Sequence, residues 1–135
     1  MIIMSVDLGK ARTGIAVSDK TNQFAFPKEV ITEYNTARLI EKLCEKAQEY
    51  GAERIVVGYP KNMDGSLGER ATECADIAKQ IEQKSAIDTV LWDERCTTIT
   101  AHNYLSMNNV RGKKRKQTVD AVAAVIILED YLRSL

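Results

Sequence analysis

The chain has 135 residues, 44% hydrophobic and 28% charged, with 19 basic residues, 19 acidic residues and one histidine. That length suits one domain with one sizeable core, and the composition is ordinary for a globular protein. No apolar run approaches the ~20 residues of a membrane span, no signal-peptide pattern opens the chain, and Cys44, Cys74 and Cys96 form no CxxC pair that would suggest a disulfide framework or a zinc site. The expectation is one cytoplasmic domain over residues 1–135, with reduced and partly buried thiols.

Residues 1–8 run apolar as a strand does, with Asp7 at the far end. Thr13 to Ser18 predicts a second strand and Phe24 to Ile31 a third. Short turns join them, so an antiparallel meander is the natural pairing, and Pro27 confines the third strand to an edge. Leu39, Ile40, Leu43, Cys44, Ala47 and Tyr50 recur at helical spacing, and Gly51 stops that helix. Arg54 to Pro60 reads as a short buried strand. Ser66-Leu-Gly-Glu69 reads as a capping box opening a helix whose stripe is Ala71, Cys74, Ala75, Ala78 and Ile81. Asp88 to Glu94 predicts a fifth strand. Thr97 or Thr98 caps a third helix through Leu105, and a last helix runs from about Val119 to Leu132. The order implies an α/β fold: a mixed five-stranded sheet, made of the three-strand meander plus two parallel strands, with helices on both faces.

The zero net charge is unevenly distributed. Arg111-Gly-Lys-Lys-Arg-Lys116 holds five basic residues in six positions, and the rest of the chain is net acidic. Taken alone, such a run predicts a solvated, mobile loop; beside a catalytic centre it predicts a phosphate contact.

Asp7 ends the first strand, Asp93 and Glu94 end the fifth, and Asp120 opens the last helix in this reading. The carboxyl ends of parallel strands are where open α/β sheets place their sites, so Asp7 and one of the Asp93/Glu94 pair should converge. Alternation along a strand puts only one of that pair on the cluster's side, and Glu94 is the choice. Converging carboxylates repel unless a cation compensates them. Oxygen ligands with no nearby His or Cys select Mg²⁺ or Mn²⁺. Each residue has a plainer explanation. Asp7 could begin a turn before Gly9, Glu94 could pair with Arg95, and Asp120 could answer the positive end of a helix dipole. His102 and Trp92 are most simply structural.

Together, "VDLGKARTGIAVSD", "VVGYPKNMDGSLGERA", "WDERCTT" and "VDAVAAVIILEDYL" resemble the YqgF family of small bacterial proteins, also called RuvX and described as pre-16S ribosomal RNA nucleases and Holliday junction resolvases. The resemblance covers nearly the whole chain, with four motifs in order. It implies a ribonuclease-H-like fold and a metal-dependent endonuclease. The family's acidic residues carry over onto Asp7, Glu94 and Asp120, as catalytic residues and as ligands of Mg²⁺ or Mn²⁺. Arg12 and Arg95 carry over as phosphate contacts. Lys10 and the basic run of Arg111, Lys113, Lys114, Arg115 and Lys116 join them at the substrate backbone. Tyr59, Cys96 and the Gln117-Thr118 interruption depart from the pattern without removing a carboxylate.

The implied partners are nucleic acid, as ribosomal RNA precursor or branched DNA, and the ribosome; no membrane is implied, and the chain acts as a monomer or weak homodimer. Precursor RNA processing is the leading expectation and resolution of four-way DNA the alternative. A non-catalytic ribosome-binding module would be favoured by loss of a carboxylate, and none is lost. An actin-like phosphotransferase, suggested by the "DLG" turn, would need a second domain to close on a nucleotide.

Overall fold

The computed structural model describes residues 1–9, 12–59, 69–93 and 112–135, by backbone alone at 59, 69–70, 93 and 112–121. The described elements are β1 (Ile3–Leu8), β2 (Arg12–Ser18), β3 (Ala25–Thr32), α1 (Thr36–Glu49), β4 (Arg54–Tyr59), α2 (Glu69–Ser85), β5 (Asp88–Asp93) and α3 (Gly112–Arg133). The strands form one sheet in the order β3-β2-β1-β4-β5. β1–β2 and β2–β3 are antiparallel, while β1–β4 and β4–β5 are parallel. The expected mixed sheet is therefore present, with β1 central and the Pro27 strand at an edge. The capping box at Ser66 and the helix expected from Thr97 or Thr98 to Leu105 lie outside the described residues.

The sheet buries two apolar layers because its strands alternate. Met4, Val6, Leu8, Ile15, Ile55 and Val57 face α1 and α2, which contribute Leu39, Leu43, Cys44, Cys74, Ile77 and Ile81. Ile77 belongs to the α2 stripe, whereas Ala75, expected there, is only half-buried. On the opposite face Ile3, Ala16 and Val56 pack against Ala124, Ile127, Leu128 and Tyr131 of α3. Trp92 packs at the margin of this second layer rather than inside it. Its Nε1 donates to Asp130 at 2.8 Å, and its ring meets Tyr131 edge-on at 5.2 Å.

Local signals set the helix ends. Asn35 caps α1, its side-chain oxygen accepting from the Arg38 amide at 3.0 Å. The helix ends at Tyr50, and Gly51 follows with φ of 70°, a conformation that glycine adopts without strain.

Two expectations need correction. The basic run was expected as a mobile loop, but its residues from Gly112 to Lys116 form the start of α3. Lys, Arg and Gln are good helix formers, and the run continues unbroken into the apolar segment that α3 buries. Asp120 therefore does not open the helix: it stands eight residues beyond Gly112. The dipole explanation for Asp120 lapses, because that effect fades within the first turn.

Candidate nucleic-acid cleavage site

Asp7 is the fifth residue of β1. Ile3 and Ser5 face α3, so alternation puts Asp7 on the α3 face near the carboxyl end of the central strand. Its register partners are Gly14 on β2 and Gly58 on β4. Gly58 in turn pairs with Trp92 on β5. The row through Asp7 thus carries glycine on both sides, where the row below it carries Ala16, Ser5 and Val56. Neither neighbouring strand places a side chain beside this carboxylate. Among the described strands this row is open at the level of Asp7, whereas the other α3-facing rows of β1 carry side chains on both sides.

The turn after β1 depends on Gly9. Its amide donates to the Arg12 carbonyl at 3.0 Å, and a Cβ built there would stand 2.3 Å from that oxygen. No side chain larger than hydrogen fits without moving backbone. The tight turn sends β2 back at once, with Arg12 at its start. Arg12 lies two residues before Gly14, so it shares the α3 face with Asp7 at the same end of the sheet.

The crossovers were expected to bring both parallel strands alongside β1, but only β4 pairs with it and β5 lies beyond β4. Two interstrand spacings, ~10 Å, separate β1 from β5. Only glycine stands between Asp7 and Trp92 in that row. β5 is described as far as Asp93. Glu94, Lys10, Arg95 and Arg111 lie outside the described residues, as do the side chains of Asp93, Asp120, Lys113, Lys114, Arg115 and Lys116. The structure thus brings Asp7 and Arg12 to one face and one edge. Among the described side chains no three His, Cys, Asp or Glu gather closely enough to hold a metal. Asp7 supplies a hard oxygen donor, and the nearest described cysteines, Cys44 and Cys74, are buried in the other layer. The Asp7 carboxylate is a donor of the kind that Mg²⁺ and Mn²⁺ take.

The other face at this end of the sheet differs in charge. A cavity of about 310 Å³ there is lined by Gly9, Glu33, Tyr34, Glu73 and Asp76 among others. Three of these lining residues are acidic, Glu33, Glu73 and Asp76. Sequence reasoning did not single out Ser5 or Gly58. Each had a signal: a hydroxyl inside an apolar strand needs a buried partner, and a glycine inside a buried strand marks a close approach.

Among the described residues no helix is long and apolar enough to cross a membrane. Comparison with known proteins places the chain. A relative from Lachnospira eligens, named "Putative pre-16S rRNA nuclease", is 39% identical over 137 residues, covering 99% of this chain and 98% of its own. One of the same name from Geobacillus is 41% identical over 140 residues, with 99% of each chain covered. Among solved structures, RuvC of Thermus thermophilus in complex with a Holliday junction substrate superposes with a TM-score of 0.64, covering 99% of this chain and 94% of that one. At 12% identity, that likeness speaks for the ribonuclease-H-like fold alone. Residues 1–134 match the family model described as "RuvX: Holliday junction resolvase", and the chain belongs to that family of nucleases.

Proposed function

We propose that the protein is a divalent-metal-dependent endonuclease that hydrolyses phosphodiester bonds in structured nucleic acid, with the 5′ end of pre-16S ribosomal RNA as its substrate. The observation that carries this reading is the open row at Asp7: a carboxylate at the carboxyl end of the central strand, between two glycines, facing α3. Asp120 is the second member of the site. It precedes Ala124 by one helical turn, and the Ala124 carbonyl is bonded to Ser5, two residues before Asp7. Glu94 is the third. It follows Trp92 by two residues, and strand alternation carries the α3-facing set from Val90 and Trp92 to Glu94 rather than to Asp93.

Asp7, Glu94 and Asp120 would hold Mg²⁺ or Mn²⁺, which when bound supplies Lewis-acid charge at the scissile phosphodiester. Arg12, with Lys10 and Arg95, would bind and orient the phosphates beside the carboxylates. α3 runs antiparallel to β1, because Tyr131 bonds Arg54 in the Ile3 row while Ala124 bonds Ser5. The residues before Asp120 therefore continue ~12 Å past the level of Asp7. That segment carries Lys113, Lys114, Arg115 and Lys116 and no acid in its first turn. Four cations at the positive end of a helix dipole repel both one another and the dipole, and a nucleic-acid backbone relieves both. Substrate would lie along this end of α3 and across the open row.

The RNA substrate is preferred because relatives at 39% and 41% identity, matched end to end, carry that name. Resolution of four-way DNA is the second reading, supported by the family description. Ribosomal RNA processing makes the enzyme cytoplasmic, with the ribosome precursor as its partner. Purified protein incubated with labelled pre-16S RNA and with four-way DNA, each with Mn²⁺ and with EDTA, tests both. Mn²⁺-dependent cleavage of the RNA at a discrete site is expected. Cleavage of DNA junctions alone would replace the first reading with the second, and binding without cleavage of either would leave a non-catalytic module.

A further inference from the structure

Ser5 has no exposed surface and lies in a strand that is otherwise apolar up to Asp7. Its Oγ donates to the carbonyl oxygen of Ala124, 119 residues away, at 2.6 Å. Ala124 is interior to α3, so its carbonyl also serves the helix ladder, and the serine takes the second lone pair. Around this bond the layer is built of Ile3, Ala16, Val56, Ile127 and Leu128. Contacts among such aliphatic surfaces are non-directional and fix a helix only through shape complementarity. A hydrogen bond adds a directional, short-range constraint at one defined point.

The position of the bond gives it consequence. Asp7 stands two strand residues beyond Ser5, ~6.6 Å along β1. Asp120 stands four helix residues before Ala124, ~6.0 Å along α3 in the same sense, since the two elements run antiparallel. The Ser5–Ala124 bond is the fixed point from which both carboxylate-bearing positions are measured, and the two distances nearly match. Among the described side chains the other bonds from α3 to the sheet, Arg54 to Tyr131 at 2.8 Å and Trp92 to Asp130 at 2.8 Å, lie near its C-terminus, two turns or more from Asp120.

We propose that Ser5 is a positioning residue whose bond to Ala124 sets the axial register of α3 against β1, holds the Asp120 backbone level with Asp7, and thereby determines divalent-cation affinity. The proposal rests on the carboxylate site described under Proposed function. Its test is calorimetric titration of Mn²⁺ into the full chain without nucleic acid, together with the kinetics of cleavage. The proteins compared are wild type, Ser5→Ala, Ser5→Cys, Asp7→Asn and Ile81→Val. Ser5→Cys keeps the side-chain shape with a somewhat larger atom and weakens the donor, so it carries the test should the alanine variant fail to fold. Ile81→Val loosens the opposite layer and controls for stability alone.

The Ser5 variants should bind Mn²⁺ at least five-fold more weakly and lose kcat in proportion, with KM for nucleic acid within two-fold of wild type. Ile81→Val should bind Mn²⁺ as wild type does. Wild-type Mn²⁺ affinity in both Ser5 variants, with loss in Asp7→Asn, would overturn the role of Ser5 and leave the carboxylate site standing. Equal losses in Ile81→Val would overturn it as a mere stability effect. Absence of Mn²⁺ binding by the wild type would overturn the site itself and the role of Ser5 with it.

Discussion

Asp7 and Gly58 are register partners on adjacent parallel strands, and Gly58 is in turn the partner of Trp92 on β5. The only strand between the central carboxylate and β5 therefore carries no side chain at that level. A methyl group placed there would stand beside the Asp7 carboxylate, ~5 Å away across one strand spacing. Gly58→Ala is expected to fold, because alanine adopts strand geometry and exposes less backbone entropy than glycine on folding. Cleavage should fall at least ten-fold in the same protein. Circular dichroism and single-turnover cleavage measured together check this, and wild-type turnover in a folded Gly58→Ala would show that the open row is not used.

Asp7→Asn removes the charge and keeps the shape. A neutral amide is a far poorer ligand for a hard divalent cation than a carboxylate. Cleavage should be lost, by about 10³-fold or more if that cation supplies the developing-charge stabilisation typical of such sites. Nucleic-acid binding should stay within a few-fold, since the phosphate contacts are supplied by other residues. Gel-shift affinity beside cleavage rate separates the two, and cleavage by Asp7→Asn at the wild-type rate in Mg²⁺ would remove Asp7 from the site.

Acid sensitivity should have a local source at the β2–β3 turn. Asp19 accepts from the Thr21 hydroxyl, and its other oxygen accepts from the amides of Gln23 at 2.9 Å and Phe24 at 3.2 Å. These bonds, the Thr21 hydroxyl foremost, hold the Asp19 carboxyl below the usual aspartate value. A depressed folded-state value stabilises the fold above the unfolded value and is lost as pH falls through the folded one. The contribution of Asp19 should thus be complete above about pH 4 and fade below it. Asp19→Asn should show a shallower loss of stability between neutral pH and pH 3 in urea titrations. An identical pH profile in the two proteins would show that the turn does not contribute.

Much of this architecture was legible because it is written in short-range pattern. Short apolar runs marked β1, β2 and β4, the Leu39-to-Tyr50 stripe marked α1, and Pro27 marked an edge, each being a local steric or burial constraint. Asp7 stood out as a candidate because a carboxylate ending a buried strand needs a compensating partner. What escaped depended on relations between distant residues. The placement of β5 two strands from β1 follows from sheet order, which no local window encodes. The bond from Ser5 to Ala124 spans most of the chain. The start of α3 was missed because Arg111 to Lys116 has no apolar periodicity. There, helix propensity and continuity with a buried segment outweigh like-charge repulsion.

That last correction shapes the test of the basic segment. Because Gly112 to Lys116 is helical, replacing its cations with serine would weaken the helix as well as the charge. Glutamine is the better probe, being close to lysine and arginine in helix propensity. In the quadruple variant Lys113→Gln, Lys114→Gln, Arg115→Gln, Lys116→Gln, circular dichroism should be unchanged, and thermal stability should hold or rise because four like charges leave the positive end of the helix dipole. Nucleic-acid binding should weaken. Each phosphate contact contributes about 0.7 to 0.9 to the slope of log affinity against log salt, so the slope should flatten by roughly 2 to 3 if most of the four cations touch phosphate. Mn²⁺ affinity without nucleic acid should stay within two-fold, since none of the four is a carboxylate of the site. Binding measured from 50 to 300 mM salt reads the slope directly. An unchanged slope would mean that the end of α3 lies outside the interface, and Lys10, Arg12 and Arg95 would then have to supply the phosphate contacts.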